Sequence, residues 1–467
     1  MSEQKYPVKR GSEYEIDIDK LAFGGAGIGR MDNYVIFVKG AIPGDRVLAK
    51  IQKRKTAYAE ARLLSIIKPS KIRIKAPCVY FDWCGGCTWQ NLSYENQIKY
   101  KQEIVVEAFK HIAGLDNACI ESILVSEKPF GYRNKMEFSF SDRRWLIPDE
   151  LNTEDINRDY ALGLHVPGTF DKILQIDKCL LQSDNANKIL NFINGYILTS
   201  KLQPYGIKSH DGFLRFLVLR ESNYNGGIMV NLVTAYEDTK YLKILAAQLI
   251  KKFPAVKSVI NNINSKLAQI AFGEREIVLA GNDVIQEKLG QHLFHISANS
   301  FFQTNTRQAE KLYEKVIEFA DLKGNEKVWD LYCGTGTITI FLAERAGEVT
   351  GFELVDSAVN DARLNAESHG IYNTKFIAGD LLYILREMEG KPDVLVTDPP
   401  RSGMHVKVVE YICDLKPEKI IYISCNPSTL ARDISILKDV YKIDVVQPVD
   451  MFPQTYHIET VVKMKLK

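Results

Sequence analysis

At 467 residues the chain is too long for one compact core, so two or three domains are expected. Hydrophobic residues at 46% and charged residues at 25% exclude a largely disordered protein; no apolar stretch reaches membrane-spanning length, and the start MSEQKYPVKRGSEYE lacks a secretory core, so a cytoplasmic chain with no membrane partner is expected. A formal net charge of +2 excludes nucleic-acid recognition by bulk charge and leaves that task to local arrangement.

Residues 1–70 read as short strands and glycine turns: YEIDID, the link Gly24-Gly25-Ala26-Gly27, YVIFVKG, AIPGDRVLAKIQKRK and YAEARLLSII. Short alternating apolar runs predict a small β-barrel. Lys50, Lys53, Arg54, Lys55, Arg62, Lys68, Lys71, Arg73 and Lys75 follow with hardly an acid among them. Charge alone suits a solvated face as well as an RNA-facing one; interleaving with barrel strands favours an oligonucleotide-binding (OB) type of barrel.

Residues 71–290 read as a mixed α+β domain. FLRFLVLRES, GGIMVNLVTA and VKSVINNIN are predicted strands, and EDTKYLKILAAQLIKKF an amphipathic helix. YENQIKYKQEIVVEAFKHIAG predicts a long helix over about residues 94–114, suited to pack on the catalytic domain. Of eight cysteines, Cys78, Cys84 and Cys87 share a tight loop with Gly85 and Gly86, and Cys179 in DKC offers a fourth thiolate. Four thiolates suit structural zinc or an iron-sulfur cluster, and spacing leaves both open. Trp83 and Trp89 are placed to shield such a centre; Cys119, Cys333 and Cys413 read as packing residues.

Residues 291–467 alternate strands and helices: KVWDLY and a helix from Ile338, EVTGFEL and SAVNDARLNAESHG, TKFIAGD, DVLVTD, KIIYIS, then KIDVVQ and TVVKMKL. The pattern predicts a Rossmann-like α/β domain, a parallel sheet with helices on both faces and a terminal hairpin at its edge. Gly334 and Gly336 lie in the first strand-to-helix turn, Glu353 and Asp380 end the next two strands, and Asp398 precedes Pro399-Pro400-Arg401-Ser402-Gly403. Acids and a glycine turn at successive strand ends suit an adenosylmethionine pocket better than a dinucleotide one.

Cys425 ends the fifth strand within the turn-forming run SCNPST. A helix starting after Pro427 would lower its thiol pKa. Glu459 begins the last strand, and an antiparallel run would bring it to the same rim. A thiol and a base together suit covalent catalysis.

The runs FFQTN, DLYCGTGT, DPPRSG, SCNPSTLARD and HIET, in this order over the last third, resemble the RNA uracil-5-methyltransferase family. The resemblance implies Cys425 as nucleophile toward uracil carbon 6 and Glu459 as the base that removes the carbon 5 proton. It implies S-adenosylmethionine contacts from Gln303, Tyr332, Thr337, Glu353, Asp380 and Asp398. Cys78, Cys84, Cys87 and Cys179 resemble the ligands of a [4Fe-4S] cluster in the ribosomal branch, and GGAGIGR and IPGDRV resemble that branch's TRAM barrel. This favours 23S ribosomal RNA over transfer RNA as partner, the transfer-RNA branch being expected to lack barrel and cluster, and a monomer is favoured. Arg133 and Lys135 in GYRNKMEF match a family run near RNA, with Tyr132 set to stack on a base. RNA cytosine-5 methyltransferases differ in carrying a cysteine after the strand-four proline, where this chain has Asp398-Pro-Pro-Arg401.

Overall fold

The computed structural model describes residues 6–153, 156–200 and 202–467, and the statements below concern these residues. The first five residues of the N-terminal run lie outside them. The chain divides into two compact units: Met1–Ala76, Thr88–Glu127 and Lys311–Lys467 form one, Pro77–Cys87 and Lys128–Glu310 the other.

In the first unit, β1 (Glu13–Leu21), β2 (Gly27–Met31), β3 (Tyr34–Lys39), β4 (Arg46–Arg54) and β5 (Tyr58–Lys68) close into a barrel in the order β1-β2-β3-β5-β4. Its interior is filled by alternate residues, among them Ile16, Ile18, Ile36, Val38, Val47, Ala49 and Ile51, because side chains along a strand alternate between faces. Asp45 of the IPGDRV run is buried, accepting from the N–H groups of Ile42 and Ser70 at 2.9 Å each and pairing with Arg73, so it ties the barrel to the chain that leaves it.

Helix α1 (Tyr94–His111) starts at Ser93, whose hydroxyl accepts from the N–H of Asn96, and its last turn carries Lys110, a cation that complements the helix dipole. It buries Tyr100, Ile104, Val105, Ala108 and Phe109 in the same core as the C-terminal sheet.

In the second unit, β6 (Lys135–Ser141), β7 (Arg144–Trp145), β8 (Ala161–His165) and β9 (Ile173–Gln175) precede helix α2 (Asp184–Thr199). β10 (Leu214–Glu221) and β11 (Ile228–Thr234) then lead through helix α3 (Lys240–Lys252) to β12 (Val256–Ile263) and β13 (Arg275–Gly281). These strands form one sheet, β13-β12-β11-β10-β6-β8-β9-β7. Its apolar face, including Phe138, Leu217, Leu219, Val230, Leu232 and Val259, packs on Ile189, Leu190 and Ile193 of α2 and on Leu242, Leu245 and Leu249 of α3. A hairpin of β14 (Ile285–Leu289) and β15 (His292–Ile296) follows, and α4 (Thr306–Ala320) carries the chain onward.

The C-terminal part is the alternating sheet expected: β16 (Lys327–Leu331), α5 (Thr337–Ala343), β17 (Glu348–Glu353), α6 (Asp356–Ser368), β18 (Thr374–Ala378), α7 (Leu381–Glu387), β19 (Val394–Thr397), α8 (Val406–Leu415), β20 (Lys419–Ser424), α9 (Pro427–Leu437), β21 (Tyr441–Val449) and β22 (Glu459–Leu466). The order is β18-β17-β16-β19-β20-β22-β21. β16 to β20 pair in parallel, while β22 lies antiparallel between β20 and β21. The central strands β19 and β20 are near-continuous apolar runs, as both-face burial requires. Among the described residues no helix is long and apolar enough to cross a membrane.

Candidate active site

The carboxyl edge of this sheet gathers the polar residues. Leu331 of β16 pairs with Phe352 of β17 and with Thr397 of β19, so Glu353 and Asp398 emerge on either side of the turn that follows Leu331. In that turn Tyr332, Gly334 and Gly336 all have positive φ, 63°, 55° and 78°. Gly336 is the cap from which α5 and its first residue Thr337 start; a Cβ there would lie 2.9 Å from Cβ of Ala362 on α6, so both conformation and packing demand glycine. Glu353 clamps the turn, accepting from the N–H of Gly334 at 3.1 Å and of Val355 at 3.0 Å, and a carboxylate so held retains lone pairs for ligand hydroxyls. Asp380 caps α7, accepting from the N–H of Leu382 at 2.9 Å, and is exposed.

Asp330, one residue before the end of β16, was not among the residues singled out in the sequence. It is buried, accepts from the Thr339 hydroxyl at 2.6 Å through Oδ2, and has no protein partner for Oδ1. Burial, with the nearby charges of Asp398 and Glu353, pushes its carboxyl up to about 7; burial does the same to Asp398. Three carboxyl groups confined together, one with an orphaned oxygen, beside a turn with open space over Gly334, fit a polar ligand carrying positive charge. The donor set therefore suits S-adenosylmethionine.

The other end of the rim holds Cys425 and Glu459. Ser424 of β20 pairs with Thr460 of β22, so the residue after one and the residue before the other meet at the edge. Burial and the Glu459 carboxylate push the Cys425 thiol up to about 11, with Asp398 adding to the rise and Arg401 opposing it. Burial and Asp398 hold the Glu459 carboxyl well above its ordinary value, again opposed by Arg401. The expectation that the α9 dipole lowers the Cys425 pKa is thus corrected: α9 does begin at Pro427, but desolvation and two carboxylates outweigh its N-terminus.

Arg401 was also not singled out. Its carbonyl accepts from Asn426 Nδ2 at 3.1 Å and from the Thr429 hydroxyl at 3.2 Å, binding the DPPRSG loop to the SCNPST turn. Buried Asp433 of α9 completes the tie, accepting from the Tyr422 hydroxyl at 2.6 Å and from the Met404 N–H at 2.9 Å. Gly403 has φ 75°, and a Cβ there would fall 2.5 Å from Arg432 Nη2 and 2.8 Å from Asp433 Oδ2, so these loops close only around glycine.

Gln303 lies in the second unit, where its carbonyl accepts from Asn134 Nδ2 at 2.9 Å, apart in sequence and unit from the residues just described. Cys78, Cys84, Cys87 and Cys179 are also in the second unit. Burial pushes the thiols of Cys78, Cys84 and Cys179 up, that of Cys84 to about 12. Cys84 feels the charges of Cys179 and Cys78, and Cys179 that of Cys78. Among the described residues, no three His, Cys, Asp or Glu side chains are grouped so as to hold a metal ion. Trp83, Cys84 and Cys179 are partly buried against the core of the second unit, whereas Trp89 belongs to the core of the first unit, with its indole N–H on the Gly25 carbonyl at 3.3 Å. Lys135 pairs with Glu137, and Arg133 is half-buried near Cys179. Tyr132 is only 5% exposed, so its ring is not presented for stacking, because it is packed inside the fold.

Residues 7–64 match the TRAM domain model, and residues 231–380 and 386–467 match the model described as tRNA (Uracil-5-)-methyltransferase. An uncharacterized RNA methyltransferase of Chlorobaculum tepidum is 42% identical over 436 residues, 91% of this chain and 90% of the relative. One of Bacteroides thetaiotaomicron is 40% identical over 456 residues, 96% of this chain and 100% of the relative. Among solved structures, the Pyrococcus abyssi tRNA (uracil-54, C5)-methyltransferase in complex with S-adenosyl-L-homocysteine superposes with a TM-score of 0.74 at 29% identity, covering 97% of this chain and 100% of that one.

Proposed function

Because the chain belongs to the RNA uracil-5-methyltransferase family, we propose that it methylates carbon 5 of a uridine in 23S ribosomal RNA in the cytoplasm, with Cys425 as nucleophile and Glu459 as base. The observation that carries this reading is the pairing of Ser424 with Thr460, which sets a thiol and a carboxyl group side by side next to a pocket of acids.

Carbon 5 of uracil is a weak nucleophile. The Cys425 sulfur adds to carbon 6, making carbon 5 electron-rich enough to take a methyl group. S-Adenosylmethionine, when bound, supplies that methyl group as an electrophile and brings positive charge to the acids. Gly334, Gly336, Thr337, Tyr332, Glu353, Asp380, Asp398 and Gln303 are the residues assigned to hold it. Glu459 then takes the carbon 5 proton, and the electron pair re-forms the ring double bond as the Cys425 sulfur leaves. A carboxyl group whose pKa is raised is a stronger base for a carbon acid than an ordinary one, so the burial of Glu459 serves its role. The target base must leave its stack to reach the thiol.

Arg401 favours the thiolate. Arg401→Ala is expected to move the rising limb of adduct formation with 5-fluorouridine RNA to higher pH, and a limb displaced by about one pH unit slows the reaction roughly tenfold at neutral pH. A limb that stays in place would remove Arg401 from this role.

The barrel offers the chemistry RNA requires. Lys9, Arg10, Lys53, Arg54 and Lys55 line a concavity of about 490 Å³ whose lining contains no acid among the described residues, and Arg54 stacks on Tyr6 at 4.2 Å. Such a surface suits phosphates, with Arg133 and Lys135 as further RNA contacts. A second reading, transfer RNA, is favoured by one finding: a transfer-RNA enzyme aligns over 97% of this chain, which necessarily includes the barrel, so a barrel does not by itself separate the two substrates.

The cysteines are assigned to a [4Fe-4S] cluster. Cys78, Cys84, Cys87 and Cys179 would hold it as thiolates, and the charge that Cys84 feels from Cys179 and Cys78, and Cys179 from Cys78, supports this reading. Anaerobically purified protein is expected to be brown, with iron and sulfide; stoichiometric zinc and no colour would overturn that assignment.

The deciding experiment supplies tritiated-methyl cofactor with 23S ribosomal RNA and, in parallel, transfer RNA, each from cells lacking the enzyme. Label in 5-methyluridine from ribosomal RNA is expected. Label only in transfer RNA selects the second reading, and label in 5-methylcytidine or none overturns both.

A further inference from the structure

The nine-residue connection between β21 and β22, residues 450–458, ends on Glu459, and its two flanks are locked together, since Val449 pairs with Glu459. Asp450 begins this connection. It is completely buried, and so is Lys101 of α1, whose Nζ donates to Asp450 Oδ1 at 2.5 Å although 349 residues separate them. The hydroxyl of Tyr94, also on α1, donates to Asp450 Oδ2 at 2.7 Å. Both carboxylate oxygens are therefore held by one helix.

Lys101 reaches further. Its Nζ also donates to the Phe452 carbonyl at 3.1 Å, an oxygen that receives the Thr455 hydroxyl at 2.8 Å; the Thr455 hydroxyl oxygen in turn accepts from the His457 N–H at 3.2 Å. Buried Ile458 and then Glu459 follow. On the same helix, Gln97 exchanges hydrogen bonds with Gln454 at 2.9 Å in both directions, where Gln454 turns the chain at φ 70°. Leu124, in the segment that follows α1, pairs with Val449 in parallel fashion.

A buried ion pair is a poor device for stability alone, since an apolar pair of equal volume does as well or better. Its value lies in fixed geometry. We propose that Lys101, acting through Asp450 and the Phe452 carbonyl, is a positioning residue that aims Glu459 at the carbon 5 proton. This inference rests on the reading of Glu459 as the base.

The step it serves comes after methyl transfer. Glu459 accepts the carbon 5 proton, the C–H electron pair becomes the C5–C6 double bond, and the bond from carbon 6 to the Cys425 sulfur breaks. A misaimed carboxylate leaves addition and methyl transfer intact and delays release, so the methylated RNA stays attached to the protein.

The test uses the full-length enzyme with unmodified substrate RNA and adenosylmethionine, following methyl transfer and the covalent complex on denaturing gels in a single turnover. Lys101→Met is expected to transfer methyl at near the parent rate and to release the complex roughly 10- to 100-fold more slowly, the scale of a side chain displaced by about 1 Å. Lys101→Met leaves Asp450 buried without its cation, so Lys101→Met/Asp450→Asn, which removes both charges, and Tyr94→Phe, which removes one hydroxyl, are measured beside it. The same split between transfer and release, smaller for Tyr94→Phe, is expected. Equal slowing of transfer and release in all three variants, or no accumulated complex, would overturn the positioning role. Glu459→Gln is the reference: it should trap the complex, and if it does not, the base assignment fails, a result distinguishable from a clamp that fails while Glu459→Gln still traps.

Discussion

Cys425→Ala should reduce methylation to background and abolish the covalent complex with 5-fluorouridine RNA, while leaving the melting temperature within a few degrees of the parent. The thiol is half-buried at the rim and carries no strand pairing of its own, since the ladder between β20 and β22 ends at Ser424 and Thr460. Removing one sulfur there costs little packing. The chemistry has no substitute for it: without addition at carbon 6, carbon 5 stays a weak nucleophile, and covalent catalysis of this kind is worth several orders of magnitude. Cys333 is no replacement, because it is buried within the glycine turn and burial holds its thiol far above neutrality. Nucleoside analysis together with a denaturing gel checks this result. A complex that persists in Cys425→Ala would move the nucleophile elsewhere.

The second large effect concerns stability. Asp330 has its carboxyl raised from 3.8 to about 7 by burial and by neighbouring acids, which amounts to about 4 kcal/mol of preference for the protonated form in the folded protein. For a raised acid the folded state binds the proton more tightly than the unfolded one. Its contribution is therefore fully present below about pH 4, is lost as pH rises toward about 7, and is gone above that. Asp330→Asn keeps an acceptor for the Thr339 hydroxyl and removes the titration. The cofactor-free variant should match the parent near pH 4 and exceed it by up to about 4 kcal/mol at pH 8, with the gap opening between those limits. Adenosylmethionine should stabilise the parent more than the variant, because its positive charge is what the carboxylate gains. Melting curves across pH, with and without the cofactor, measure both. A gap independent of pH would mean that Asp330 is already ionised in the fold.

Where function depends on local pattern, the sequence was informative. Alternating runs such as YVIFVK and apolar runs such as KIIYIS carry their strand type within a few residues; Glu353, Asp398, Cys425 and Glu459 sit at strand ends that such runs delimit, and Gly336 caps the helix after one. Residues defined by distant partners were not legible. Asp330 looks like any strand aspartate until Glu353 and Asp398 are placed around it. Arg401 acquires its role from Cys425 and Glu459, and Lys101 from an aspartate in the last hairpin. Aromatic residues misled for the same reason: Trp89 and Tyr132 stand beside polar motifs in the chain yet are consumed by packing.

The placement of β22 also sets an order of manufacture. β20 and β21 emerge from the ribosome first, and each has an edge that waits for the strand that will lie between them. Cys425 is synthesised before Glu459. On the proposed assignment, the base that permits release opens the very strand whose arrival seals the sheet, so attachment and release become possible only in the same, completed fold.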